Sequence, residues 1–203
     1  MKIKTLHLGL IKTNCYLLST ERAAVVIDPG FVRPGTLDFF NANADKERLI
    51  LLTHAHFDHI GGAEALREKT GVKIGIGEGD AEGLSDTALN LSDMFHAHIS
   101  PFKPDFTYKN GDIITVGDIE LKVISTPGHT VGGVSYLTGD CLFSGDTLFE
   151  NSIGRTDFPG GDLKVLQRSV KKLMALPPLT KVYPGHGYST TIAREKENNM
   201  FVR

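Results

Sequence analysis

The chain has 203 residues, 40% of them hydrophobic and 23% charged, and a formal net charge of −2 at pH 7. Such a chain is long enough to bury one core, and the charge gives no electrostatic case for a nucleic-acid partner. No apolar run is long enough to span a membrane, Met1-Lys2-Ile3-Lys4 leads into an alternating strand instead of a signal peptide, and Cys15 and Cys141 are expected as free thiols of a cytoplasmic protein.

Taken in order, the apolar patterns predict strands over Lys2–Leu8, 15–19 and Ala23–Ile27, then a helix over 36–43. A buried strand over 49–53 follows, then a helix over 62–69 and a strand over 72–76. Residues 77–105 are the least regular, with a helix expected over 82–95. The second half predicts strands over Ile113–Val116, 120–125, 133–137 and 141–143, with Thr138-Gly139-Asp140 as a hairpin turn. A helix over 163–176 stops at Pro177-Pro178, and a last helix starts near Thr191. Both halves thus run hairpin, strand-borne acid, helix. The whole, 1–203, is expected as one domain.

The densest chemistry is His54-Ala55-His56-Phe57-Asp58-His59, directly after the apolar run 49–53. On an extended backbone His54 and His56 face the same way, and imidazole and carboxylate are donors that zinc and its neighbours accept. Three further residues share one local grammar of strand, small turn residue and ligand. They are His129 in Thr126-Pro127-Gly128-His129, Asp146 in Ser144-Gly145-Asp146 and His186 in Pro184-Gly185-His186. Seven candidate ligands exceed one four-coordinate shell, so two divalent ions are implied. Zinc is the first expectation, and iron or manganese accept the same donors. Asp28, in Val26-Ile27-Asp28-Pro29-Gly30, either orients a ligating imidazole or only starts a turn. His96 and His98 repeat the His-x-His spacing without an acid or strand context and read as surface or site-edge residues. His7 reads as structural.

His-x-His-x-Asp-His followed by a lone His, an Asp and a last His resembles the metallo-β-lactamase superfamily. Ser152-Ile153-Gly154-Arg155-Thr156-Asp157-Phe158 and the tail 190–196 resemble its short bacterial glyoxalase II-like hydrolases. The resemblance implies a four-layer αββα sandwich. It places His54, His56 and His129 on one ion, Asp58, His59 and His186 on the other, and Asp146 between them. Asp58 and Asp146 are then the candidate catalytic carboxylates. Larger glyoxalase II enzymes take glutathione contacts from a C-terminal helical domain. Here Arg155 and Tyr188 are the candidate substrate contacts, by a carboxylate pair and a hydroxyl bond. Arg155 pairing with Asp157 and Tyr188 packing at the rim are the alternatives.

Two adjacent cations lower the pKa of a shared water toward neutrality and polarise an acyl oxygen. A thiolate leaves without a proton donor, whereas an amine needs one, and no spare acid stands beside the ligand loops. The expectation is therefore hydrolysis of a small acyl-thiol such as a lactoyl conjugate of glutathione. The rivals are a persulfide dioxygenase-like enzyme, with one iron on two His and an Asp, and a metallo-hydrolase of another ester or lactone.

Overall fold

Residues 23–27 and 49–52 have no solvent face, and their alternate side chains enter two different cores. Val25, Ile27, Leu49 and Leu51 share one, while Val26, Ile50 and Leu52 share the other. Strands apolar on both sides belong to a sheet covered on both sides. The computed structural model, which describes residues 1–202, shows that arrangement.

The first sheet is built from β1 (Lys2–Leu8), β2 (Thr13–Ser19), β3 (Ala23–Ile27), β4 (Glu47–Leu52), β5 (Lys73–Gly77) and β6 (Phe106–Tyr108), paired in sequence order. Its first three strands are antiparallel neighbours; from β3 to β6 the pairing is parallel. Helices α1 (Pro34–Asn41), α2 (Phe57–Ile60) and α3 (Ala63–Thr70) lie in the first half. Phe40 of α1 and Leu66 of α3 cover the sheet's outer face. The second half supplies β7 (Ile113–Val116), β8 (Ile119–Ser125), β9 (Val134–Thr138), β10 (Cys141–Gly145), the short ribbon β11 (Leu148–Phe149) with β12 (Ser152–Ile153), α4 (Leu163–Leu173), β13 (Lys181–Pro184), β14 (Thr190–Thr191) and α5 (Ile192–Asn198). These strands form a sheet of order β14-β13-β10-β9-β8-β7.

Leu121, Val123, Tyr136 and Phe143 meet the first sheet in the central core, while Leu142 and Val182 pack under Leu166, Val170 and Leu173 of α4. Three apolar layers between two helical faces and two sheets make the expected αββα sandwich. Burial is worth about 1.5–3 kcal/mol for each such aliphatic side chain, which holds the strand ends in fixed positions. No helix among the described residues is long and apolar enough to cross a membrane, and both cysteines are buried and free.

The helix expected over 82–95 does not form. The one helical element there is the tight turn Glu82–Leu84, which follows another at Glu78–Asp80. Asp86 accepts from the backbone of Ala88 and Leu89, Asn90 accepts from the Ser92 backbone, and Leu91 sits at φ 66. Short polar side chains that bond their own backbone compete with the helix ladder. Helix α1 begins earlier than expected because Pro34 suits a first helical turn. The edge strand β6 and the ribbon β11–β12 are too short to show periodicity.

Candidate metal centre

Parallel pairing brings the acids to the histidines. Because Ile27 of β3 stands beside Leu51 of β4, Asp28 leaves β3 beside the end of β4, where Thr53 meets it through its backbone N–H. Gly145 of β10 pairs with Pro184 of β13, so Asp146 emerges beside Gly185-His186. His129 follows β8, and Asp58 and His59 lie on α2. A Cβ on Gly185 would stand 2.0 Å from Asp146 Oδ1, so only glycine fits before His186. Gly128, at φ 124, turns the chain just before His129.

All seven predicted ligands meet at this rim. Three groups bring one donor atom per residue within 4.8 Å of one another: His54 with His56 and His129, His54 with His59 and Asp146, and Asp58 with His59 and His186. His129 Nε2 is 2.9 Å from His56 Nδ1. Asp58 Oδ2 is 3.3 Å from His59 Nε2 and 3.2 Å from His186 Nε2. Asp146 faces both sides, with Oδ1 3.5 Å from His59 Nε2 and Oδ2 3.5 Å from His129 Nε2 and 3.6 Å from His186 Nε2. Ligands about 2.0–2.1 Å from a tetrahedral ion stand about 3.3 Å apart, so these separations suit metal coordination. The buried Nε2 of His54 and Oδ1 of Asp146 have no hydrogen-bond partner, as atoms reserved for a metal would. The residues fit divalent ions.

A surrounding shell fixes which nitrogen faces inward. Asp28 Oδ2 accepts from His59 Nδ1 at 2.9 Å and from Thr53 Oγ1 at 2.7 Å, and Oδ1 accepts from the Thr53 backbone at 2.7 Å. With its hydrogen on Asp28, Thr53 Oγ1 accepts from His54 Nδ1 at 3.0 Å. His129 Nδ1 donates to the Arg155 carbonyl at 2.7 Å, and His186 Nδ1 to the Ile11 carbonyl at 3.2 Å. A carboxylate or carbonyl only accepts, so each Nδ1 carries the proton and each Nε2 offers its lone pair. Asp28 thus both orients an imidazole and sits in a left-handed turn at φ 52.

Charge differs across the centre. Burial, then the charges of His59, His56 and His129, push His54 well below the ordinary imidazole range, and burial with His129 and His59 lowers His56 to about 3. For His59, burial works downward but Asp58, Asp146 and Asp28 outweigh it and hold it well above that range. His186 is also raised, against its burial, by its bond to Asp58 and the charge of Asp146. Burial pushes Asp58 up, yet His59 and the bonds from His186, His59 and Thr13 hold it well below the usual carboxylate range.

The substrate candidates fare differently. Arg155 lines the groove over the centre, but its guanidinium holds Asp157 at 2.7 and 2.6 Å and lies 3.9 Å from the Phe158 ring centre. Tyr188 is 80% exposed and does not line that groove. His96 and His98 are exposed, and His7 bonds Asn14 at 2.8 Å.

Sequence reasoning missed three supports. Thr13 donates to Asp58 Oδ2 at 2.7 Å, and Asn14 Nδ2 donates to the carbonyls of Pro184 and Gly187, holding the His186 loop. Buried Asp80 accepts from the Ala55 and Gly132 backbones and from Thr130 Oγ1, tying the His54–His56 loop to the His129 loop. An asparagine directly before the apolar run 15–18 is the available signal for Asn14. Asp80 stood in an irregular stretch with no pattern to mark it.

Residues 8–186 match the model of the Metallo-beta-lactamase superfamily. The chain is 35% identical to the probable metallo-hydrolase YqgX of Bacillus subtilis, covering 100% of this chain and 98% of the relative. It is 33% identical to the hydroxyacylglutathione hydrolase GloC of Haemophilus influenzae, over 100% and 98%. Among solved structures it is similar to the BLEG-1 B3 metallo-beta-lactamase, with TM-score 0.90, 38% identity and 99% of both chains covered. A di-iron-bound form of TTHA1623 gives TM-score 0.87 at 36% identity, covering 98% of this chain and 99% of that one. ETHE1 from Myxococcus xanthus gives 0.80 at 33%, covering 98% and 84%. With its layering and its His/Asp rim described above, the chain belongs to the metallo-beta-lactamase superfamily.

Proposed function

We propose that the protein hydrolyses small thioesters, such as lactoyl conjugates of a thiol, at a dinuclear metal centre. The observation that carries this reading is the pair of ligand groups, His54/His56/His129 and Asp58/His59/His186, with Asp146 reaching both through its two oxygens. Two divalent ions there, zinc first and iron or manganese as alternatives, would supply an acidified water and Lewis-acid polarisation of the acyl oxygen.

The chain's own residues set the rest. Asp28, Thr53 and the carbonyls of Arg155 and Ile11 keep the imidazole lone pairs aimed inward. A groove of about 410 Å³ above the centre, walled by Phe95, Phe149 and Phe158, seats the acyl group beside His129 and Asp146. No lysine or tyrosine lines it, and Asp58 is held ionised by His59 and its hydrogen bonds. Asp58 therefore brings no proton of its own to a leaving group. A thiolate, from a thiol of pKa about 8.5, departs without one, which favours a thioester over an amide. The hydroxyacylglutathione hydrolase name of the Haemophilus influenzae relative supports the same class, and the free thiols Cys15 and Cys141 support a cytoplasmic address.

A second reading has its own observation. His54, His59 and Asp146 form a group of two imidazoles and one carboxylate, the donor set of non-haem iron oxygenases, which favours a one-iron, persulfide dioxygenase-like enzyme. Metal analysis joined to thioester, lactone and persulfide assays separates the readings. Two ions per chain with thioester cleavage is the expected result. One iron with persulfide-dependent oxygen uptake overturns it.

A further inference from the structure

A second apolar cavity continues from the groove over the metal centre. It has a volume of about 490 Å³ and shares Ile11, Phe57 and Phe95 with the first, so the two form one trough. Each volume suits a small-molecule arm. Phe57 and Phe95 stack with centroids 5.1 Å apart at 26°, making a flat apolar floor. Phe95 is 49% exposed and Leu10, on the β1–β2 turn above, is 100% exposed. Apolar side chains left in water around a concavity beside a reaction centre mark a surface that a ligand covers.

The trough's far part carries one charged lining residue, Arg33. Its guanidinium has no partner among the described residues. Arg155, at the near part, is already held by Asp157 and Phe158. The order from the centre outward is therefore reaction site, apolar floor, unpaired cation.

We infer that the site takes an elongated thioester whose non-reacting arm is apolar, lies on Phe57 and Phe95, and ends in an anionic group, carboxylate or phosphate, at Arg33. The reactive end rests on the hydrolase reading; the arm rests on the trough. Glutathione, with amides and charges along its length, would set polar groups against two phenyl rings that cannot pair them. A phenylalkyl arm with a terminal anion matches floor and cation together.

The test uses the metal-loaded full chain and lactoyl thioesters with five arms: a short alkyl thiol, a phenylalkyl thiol, that thiol ending in carboxylate, the same ending in phosphate, and glutathione. A parallel set places the arm on the acyl side. The anion-ended arm should show a KM about tenfold below its neutral counterpart, and the carboxylate and phosphate members identify the anion. Arg33→Ala should bring that ratio to about one, and Arg33→Glu should invert it. Phe95→Ala should erase the advantage of the phenylalkyl arm over the short one, about tenfold in KM. An unchanged ratio in both Arg33 variants, or a lower KM for the glutathione thioester than for every phenylalkyl arm, overturns the inference. Calorimetry with an uncleavable thioether of the anion-ended arm separates the two claims. Binding that weakens in Arg33→Ala without any thioester cleavage sinks the hydrolase reading and keeps the trough. Cleavage of all arms at equal KM does the reverse.

Discussion

The two halves of the candidate metal centre hold their imidazoles in opposite electrostatic states. Around His54, His56 and His129 the neighbours are other imidazoles, and burial keeps His54 and His56 neutral. Around Asp58, His59 and His186 the neighbours are carboxylates, which hold His59 and His186 toward the protonated form despite burial. The first group is ready to accept a cation. The second already holds protons in the place of one, so an ion binding there exchanges with them. A buried cluster of acids demands positive charge, and the proton is only the default supplier.

Asp146 is the residue shared by both halves, and its loss should have the largest effect. Asp146→Ala should weaken both ions by more than about 100-fold, whereas Asp58→Ala should release chiefly the second. Elemental analysis after dialysis reads this directly. Two retained ions in Asp146→Ala would break the shared-carboxylate picture. Next in size are the orienting residues, which should separate the halves. Thr53→Val removes the acceptor of His54 Nδ1 and one donor to Asp28 but leaves the Asp28–His59 bond, whereas Asp28→Asn weakens the acceptor of His59 Nδ1 itself. Each should cost about 10- to 100-fold in metal affinity, the first mainly at the imidazole-rich group and the second mainly at the acid-rich one. Equal losses at both groups in both variants would mean the two halves act as one.

The ligands of this comparison were legible in the sequence because each is a side-chain type with one dominant chemistry at a strand end. His54, His56, Asp58 and His59 declare themselves by density, and His129, Asp146 and His186 by the glycine before them. The sandwich was legible because residues 49–52 and 23–27 are apolar at every position. The supports were not. Thr13, Asn14 and Asp80 act across 45 residues or more, or between loops that only the folded sheets bring together. The helix expected over 82–95 is absent for a local reason: the side chains of Asp86 and Asn90 bond the backbone in competition with the helix ladder, which the spacing of apolar residues does not show. Tyr188 sits two residues beyond a ligand, yet Gly187 at φ 76 lies between them and its ring stands in solvent.

The third effect is pH dependence. The folded-state values of His59 and His186 lie above the ordinary imidazole value of about 6.5. In the metal-free protein their contribution to stability is therefore fully present below that value and lost as pH rises through the raised ones. An ion must displace those protons, so affinity at the acid-rich group should fall by up to about tenfold per pH unit for each proton displaced as the solution is acidified. The imidazole-rich group, with His54 and His56 neutral already, should show a shallower slope. Calorimetry in buffers of different ionisation enthalpy counts the protons and should find more released by one ion than by the other. Equal proton counts would dissolve the electrostatic distinction.

The smallest effect concerns Arg155, which supports the imidazole-rich group through its backbone while its side chain points to Asp157. The carbonyl accepts from His129 Nδ1 at 2.7 Å, and that bond survives any side-chain truncation. The guanidinium is exposed and lowers the Asp157 carboxyl to about 2 through their hydrogen bonds, but solvent screens such pairs and they add little to stability. Arg155→Ala should therefore leave both ions bound and change KM for a carboxylate-bearing thioester by less than about threefold. Release of the ion at His54, His56 and His129 would show that the Arg155–Asp157–Phe158 stack positions the carbonyl after all. A KM rise of tenfold or more, confined to charged substrates, would instead make Arg155 the anion contact. It would also move the far end of the substrate from Arg33 to the near rim of the trough.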